Sequence, residues 1–194
     1  MSAQLTIGLF VGGAGKRMGG VAKGLLSVRD GSETLIARLQ RICVLAAPAA
    51  SLYLVGQSAD YAALGLRTLC DDPPQVGPIG GLRSLLLRAR DEGSTTALAL
   101  ACDLPFLDEK VLSLLLEPRH AAARVPVADG RFQPLAAAYT PQATLEAVDR
   151  TLALGKHALM SVLDQLGSAL ERIELDAAQA QALRDWDTPE DVRG

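Results

Sequence analysis

Residues 4–26 read QLTIGLFVGGAGKRMGGVAKGLL, and the fold turns on how this stretch divides. Its first part, through Val11, is apolar on both alternating faces, the pattern of a strand buried on both sides in a parallel sheet. The remainder is different in kind. From Gly8 to Leu26 the chain carries seven glycines and three cations, Lys16, Arg17 and Lys23, and no acid. Glycine loses more backbone freedom on ordering than any other residue. A loop this rich in it makes sense where bare backbone N–H groups must face an anion. A buried strand running straight into such a loop puts the loop at the carboxyl end of the sheet, where open α/β sheets bind their ligands.

The rest of the chain repeats the alternation. ETLIARLQRICVLA places Leu35, Leu39, Ile42 and Leu45–Ala46 on one helix face. SLYLVG and LRTLC read as the second and third strands, IGGLRSLLLRARD as a helix with its arginines away from its leucines, and TTALALAC as the fourth strand. DEKVLSLLLE is a helix that opens on acids, as a helix N-terminus prefers. AARVPVA and PLAAAYT read as strands paired around DGRFQ, with helices after them in QATLEAVDRTLAL and HALMSVLDQL and a last strand in ALERIEL. DAAQAQALRD is alanine-rich and receives no element. The expected fold class is α/β, a mostly parallel central sheet with helices on both faces, in a single domain spanning residues 1–194. The glycine loop, CDDPPQVGPIGG after the third strand and CDLPFL after the fourth then open on one cleft.

Composition narrows the ligand. Hydrophobic residues at 49% suffice for a core, but aromatics at 4% leave Leu, Ala, Val and Ile to fill it. A net charge of −3 argues against nucleic acid or an anionic membrane as partner, since both require a basic face. Residues 1–29 nevertheless carry Lys16, Arg17, Lys23 and Arg29 and no Asp or Glu. That local excess suits a compact anion. Cys43, Cys70 and Cys102 lack metal-ligand spacing and read as buried, reduced thiols of a cytoplasmic protein. The Leu5–Val11 run is short, with its charges after it, so no signal peptide is expected. The apolar stretch from Ile42 to Gly56 is broken by Pro48 and Ser51, so no membrane span is expected either.

Two common phosphate loops fail. The P-loop pattern would need a glycine where Phe10 stands and Ser or Thr where Arg17 stands, and the dinucleotide pattern fails at Met18. Asp103, at the end of ALACDLPFL, has two readings: a Mg²⁺ carboxylate, since Mg²⁺ takes one or two carboxylates plus substrate phosphates, or a turn cap before Pro105. In DDPPQVGPIGGL, Asp71 can accept hydrogen bonds from a base or ribose while Gly80 and Gly81 keep the helix start close to a ligand. Turn chemistry and helix capping explain the same residues. Cys102 reads as a small hydrophobe without a base to activate it. Thr188, Pro189, Glu190 and Asp191 suit the start of a short helix. His120 and His157 are isolated, whereas Arg131 and Lys156 can reach a second anionic substrate from the far side of the cleft.

Taken in order, GLFVGGAGKRMGGVAKGLL, DDPPQVGPIGGL, LACDLPFL and DTPED resemble the molybdenum cofactor guanylyltransferases of the nucleotidyltransferase superfamily, from about residue 7 to residue 191. The first block is the most specific, with its glycines, Arg17, Met18 and Lys23 at the family spacing. The resemblance implies a Rossmann-like nucleotidyltransferase fold whose N-terminal half binds nucleotide and whose C-terminal half binds the acceptor. It implies that Phe10, Val11, Gly12 and Gly13 hold the guanine and ribose phosphates, that Lys23 contacts GTP phosphate, that Asp71 contacts the nucleoside and that Asp103 binds Mg²⁺. Catalysis would fall to Arg17, Lys23 and Asp103, and acceptor binding to Arg131, Lys156 and Asp187. The implied reaction joins GTP to molybdenum-molybdopterin, giving the guanine dinucleotide cofactor and pyrophosphate. A molybdoenzyme or cofactor-insertion chaperone would receive the product, in the cytoplasm.

Two positions depart from the family pattern. Phe10-Val11 replaces the usual Leu-Ala and is expected to stiffen or crowd the nucleotide side of the loop. Asp187 replaces Asn and is commoner in cytidylyltransferase relatives, while Gly12-Gly13 favours the guanine branch. The sequence leaves two rivals: a relative that transfers CMP to molybdopterin or another small phosphate, and a non-catalytic nucleotide-binding protein of cofactor assembly.

Overall fold

The computed structural model describes residues 5–11, 22–28, 31, 33–57, 59–117 and 120–186. Strand β1 (Leu5–Phe10) is the buried segment expected, and it lies inside the sheet between two parallel neighbours, β2 (Ser51–Val55) and β4 (Thr96–Ala101). The short β3 (Arg67–Leu69) extends the sheet beyond β2, again in parallel. Past β4 the direction changes. β5 (Ala123–Ala128) turns through Asp129 and Gly130 into β6 (Arg131–Phe132), and the chain continues as β7 (Ala136–Tyr139). Both turn residues have positive φ, 48° and 73°, which a two-residue hairpin of this twist requires and Asp-Gly supplies.

β7 pairs antiparallel with β4 and with the start of β5, β6 pairs antiparallel with the end of β5, and β8 (Leu170–Glu174) lies parallel on the other edge of β5. The eight-stranded sheet is therefore mixed: β6 and β7 oppose the remaining strands, which share one direction. The pairing of AARVPVA with PLAAAYT around DGRFQ is as the sequence indicates.

Two apolar clusters sit on opposite faces. Ile7, Leu9, Val11, Leu98 and Leu100 pack under α1 (Leu35–Ala46), α3 (Glu109–Leu115) and α6 (Ala177–Ala182). Phe10, Val55, Ala97, Ala99 and Ala137 pack under α2 (Pro78–Asp91), α4 (Pro141–Ala153) and α5 (Leu159–Leu166). Gly8 of β1 and Ala97 and Ala99 of β4 are small on the α2 side, so that helix lies close there. A Cβ on Gly8 would come within 2.8 Å of Val55 Cγ2 and 2.9 Å of Leu85. Close approach of helix to sheet is how a core with few aromatics is filled.

Three expectations change. α1 buries Leu35, Ile36, Leu39, Ile42 and Cys43, whereas Leu45 is 58% exposed and Ala46 is exposed, because the last turn outruns the surface beneath it. Cys43 and Cys102 are buried but Cys70 is exposed, just past the end of edge strand β3. The alanine-rich segment contains α6, started by a capping box in which Asp176 accepts from the Gln179 N–H and the Gln179 side chain accepts from the Asp176 N–H. Among the described residues no helix is long and apolar enough to cross a membrane.

Candidate active site

The site begins where β1 and β4 end together. One step past the last strand pair, the Cys102 N–H still donates to the Phe10 carbonyl at 3.1 Å, which delivers Asp103 to the carboxyl edge of the sheet. There its Oδ2 meets Lys23 Nζ at 3.0 Å, with each side chain 19% exposed. A pair this far from bulk water keeps more of its attraction than a surface pair does.

Lys23 is held there through its backbone. It opens a 3-10 turn, Lys23–Leu25, that has no side-chain cap of its own kind; instead the Gly24 N–H donates to Tyr61 Oη at 3.1 Å. The Leu26 carbonyl accepts from the Leu35 N–H at 2.9 Å, and Ser27 bridges to Thr34. Only glycine fits at position 24, since a Cβ would lie 2.9 Å from Tyr61 Oη and 3.3 Å from Cys102 Cβ. The Asp103 loop has its own supports. Arg38 of α1 donates to the Pro105 carbonyl at 2.9 Å and the Leu107 carbonyl at 3.0 Å. The Trp186 N–H donates to the Asp103 carbonyl at 3.1 Å, and the Trp186 ring meets Phe106 edge-on. Burial pushes the Cys102 thiol up to about 12, with the nearby Asp103 charge adding to the effect, so it is no nucleophile at neutral pH.

Asp71 lies beyond β3, opposite the start of α2. It makes no hydrogen bond or ion pair among the described residues, and partial burial holds its carboxyl above the ordinary carboxylate range. Neighbouring Asp72 pairs with Arg83, which also reaches Asp149 of α4 at 2.7 Å and so ties this loop to the helices. At Gly80 and Gly81 the space that a side chain would take is already occupied by protein. A Cβ at 80 would lie 2.5 Å from the Pro73 carbonyl oxygen, and one at 81 would lie 2.8 Å from Val55, 3.0 Å from Phe10 and 3.2 Å from Asp71 Oδ1. Protein atoms fill that space, and Asp71 and Phe10 thereby converge on the start of α2.

The expected crowding by Phe10-Val11 is corrected. The Phe10 ring is 5% exposed within the core under α2, and Val11, 9% exposed, packs into the core of the other face. The Val11 N–H donates to the Val55 carbonyl at 3.0 Å. Both side chains are buried in the core.

Arg131 comes after the Asp129-Gly130 turn at the end of β5, and β5 runs in the direction of β4, so this exposed cation lies at the Asp103 end of the sheet. α4 starts at the opposite end, after β7, and runs back, which carries exposed Lys156 to the same end. Neither makes an ion pair among the described residues, and none links them to Lys23 and Asp103. Gly12, Gly13, Arg17 and Asp187, together with Lys16 and the Thr188 helix start, lie outside the described residues. Sequence reasoning missed Tyr61, Arg38 and Trp186. The last carried a faint signal as the chain's one tryptophan, directly before DTPED; the other two carried none. Among the described residues no group of three or more His, Cys, Asp or Glu could enclose a metal ion.

Comparison with known proteins gives this site a context. The model of the MobA-like NTP transferase domain matches residues 9–171. A molybdenum cofactor guanylyltransferase from Pseudomonas fluorescens is 34% identical over 165 residues, covering 82% of this chain and 78% of its own. Among solved structures, molybdopterin-guanine dinucleotide biosynthesis protein A from Archaeoglobus fulgidus superposes with a TM-score of 0.74 at 20% identity, over 97% of this chain and 95% of that one. The 4-diphosphocytidyl-2C-methyl-D-erythritolsynthase from Anaerococcus prevotii gives 0.73 at 12% identity, over 98% and 93%. At these identities the two structures share a fold with the chain, and their nearly equal scores do not separate one base from another.

Proposed function

Because the chain belongs to the MobA-like NTP transferase domain family, we propose that it transfers GMP from GTP to molybdenum-molybdopterin, forming molybdopterin guanine dinucleotide and pyrophosphate. The observation that carries this reading is the Lys23–Asp103 pair at the joint carboxyl end of β1 and β4, in a chain whose β1 runs into a sequence of glycines and cations. Sequence identity to a guanylyltransferase favours the guanine reading over the cytidylyl one.

In the proposed reaction a phosphate oxygen of the pterin attacks the α-phosphorus of GTP, and the bond to the β-phosphate oxygen breaks as pyrophosphate leaves. No covalent intermediate on the protein is needed, and Cys102 offers none. The chain's task is to bring two polyanions together and hold them in line. Lys23 places a positive charge, fixed through its backbone, where charge builds on the departing pyrophosphate. Arg17 and the N–H groups of Gly12 and Gly13 would act with it on the phosphates. Asp71, a carboxylate without a partner among the described residues, is suited to accept hydrogen bonds from the base or ribose. Arg131, Lys156 and Asp187 are the candidates for holding the acceptor.

The donor set fits Mg²⁺ rather than a cation enclosed by protein. Asp103 stands at the cleft without a group of three or more His, Cys, Asp or Glu around it among the described residues, and Mg²⁺ characteristically combines one or two carboxylates with substrate phosphates and water. Bound there, Mg²⁺ would supply neutralisation of the phosphate charge. The contact from Lys23 would orient the Asp103 carboxylate for that role.

The test is direct. Purified protein with GTP, Mg²⁺ and molybdenum-molybdopterin is expected to release pyrophosphate and to yield the guanine dinucleotide by mass spectrometry. Faster turnover with CTP would establish the cytidylyl rival, and GTP binding without turnover would establish the non-catalytic one.

A further inference from the structure

Tyr61 lies on a short 3-10 stretch, Ala59–Leu64, between β2 and β3, a segment with no role in the proposed reaction. Its side chain runs inward and is 2% exposed. The hydroxyl ends beside the two segments that carry the ion pair. It accepts the Gly24 N–H at 3.1 Å, and Gly24 is wedged between this hydroxyl and Cys102, since a Cβ there would lie 2.9 Å from Tyr61 Oη and 3.3 Å from Cys102 Cβ. Gly24 and Cys102 are the chain neighbours of Lys23 and Asp103. The hydroxyl therefore holds the backbone of the Lys23 turn where that turn packs against the residue before Asp103.

We propose that Tyr61 is a positioning residue for nucleotidyl transfer, its hydroxyl setting the Lys23 turn against the end of β4 so that the ammonium and the Asp103 carboxylate stand at a fixed separation. This rests on the reading that Lys23 and Asp103 act on the nucleotide. Three features support the assignment. The 3-10 turn at Lys23–Leu25 has no side-chain cap from its own N-cap residue, so its early N–H groups need acceptors from elsewhere. Tyr61 is that acceptor for Gly24. The fit has no slack, because even a methyl group at position 24 would collide with Tyr61 Oη at 2.9 Å and Cε1 at 3.0 Å. Finally, lysine is a long flexible side chain, so the place its ammonium occupies depends on where its backbone is held. Misplacement of a charged group by about 1 Å can cost on the order of 10²-fold in rate.

Tyr61→Phe keeps the ring and removes the hydroxyl. Turnover is expected to fall about tenfold, with faster amide exchange confined to residues 22–28. A double-mutant cycle separates positioning from general weakening. If Tyr61 acts through Lys23, then adding Tyr61→Phe to Lys23→Ala changes turnover less than about twofold. The gain in thermal midpoint on adding GTP should show the same pattern, shrinking in Tyr61→Phe and staying level between Lys23→Ala and the double variant. An equal loss from Tyr61→Phe in both backgrounds, or unchanged turnover with unchanged exchange at 22–28, overturns the proposal. Should the wild-type protein transfer no nucleotide, the proposed function fails by itself, while exchange and GTP protection still decide the part played by Tyr61.

Discussion

At Asp103 the backbone and the side chain have separate tasks. Its carbonyl accepts the Trp186 N–H, while its carboxylate meets Lys23 across the mouth of the sheet. The backbone task is independent of the side chain, so Asp103→Asn should lower the folding midpoint only by the loss of the Lys23 ion pair, leaving the fold intact. Turnover should fall on the order of 10²–10³-fold, as it does when a preorganised charged group is lost. Pyrophosphate release at limiting Mg²⁺ reads this out, and near-normal activity would remove Asp103 from the metal role. Asp71 is the opposite case, a carboxylate that folding places at a disadvantage. Burial raises its pKa, so its contribution to stability is most favourable below its unfolded pKa and is lost as pH rises through the higher folded value. Asp71→Asn is therefore expected to raise the thermal midpoint of the ligand-free protein at pH 7, with little gain near pH 3. The same change should weaken nucleotide binding about tenfold, on the order of one hydrogen bond to a charged group. A lower midpoint at neutral pH would contradict this account.

Among the elements, the joint between β1 and α2 governs the site from below. Gly8 lets Leu85 of α2 and Val55 of β2 meet over β1, and Gly81 does the same where α2 begins, beside Phe10 and Asp71. Gly8→Ala would place a methyl group 2.8 Å from Val55 Cγ2, so neighbours must move within a closely packed core. Overpacking of this kind costs about 1–3 kcal/mol. Urea unfolding should show that loss as a lower midpoint with an unchanged slope. A neutral or stabilising Gly8→Ala would mean that α2 can lift from the sheet, and with it that the position of Asp71 is not fixed by this joint.

For the molecule as a whole, the two ends of the sheet divide the work. Where β1 and β2 begin, Glu92 accepts from the Thr6 hydroxyl at 3.1 Å and from Tyr53, binding the strand starts together. Where the parallel strands finish, the chain gathers Lys23, Asp71 and Asp103, with Arg131 and Lys156 beyond. A ligand at that end couples to the fold as a unit, so binding should appear as global stabilisation. With Mg²⁺ present, GTP is expected to protect against thermal unfolding more than CTP does. A tenfold difference in affinity corresponds to about 1.4 kcal/mol at saturating ligand. Stronger protection by CTP would transfer the assignment to the cytidylyl branch.

The order of strands and helices was legible in the sequence because it rests on local periodicity. Unbroken apolar runs mark buried strands, three-to-four spacing marks helices, and Asp129-Gly130 marks the hairpin that turns the sheet mixed. The same local signals identified the glycine and cation loop and set acids after the third and fourth strands. Tertiary structure decided which of these residues meet. Lys23 and Asp103 are 80 positions apart, and no periodic pattern encodes their contact. Tyr61 sits in a stretch without a motif, and its part appears only once Gly24 is brought between its hydroxyl and Cys102. Phe10 had the same two possible fates in any sequence, toward a ligand or into the core, until Gly81 left space for its ring beneath α2. The chain determines its elements one neighbourhood at a time, but a site is made by contacts between neighbourhoods, and these exist only when the sheet has brought the strand ends together.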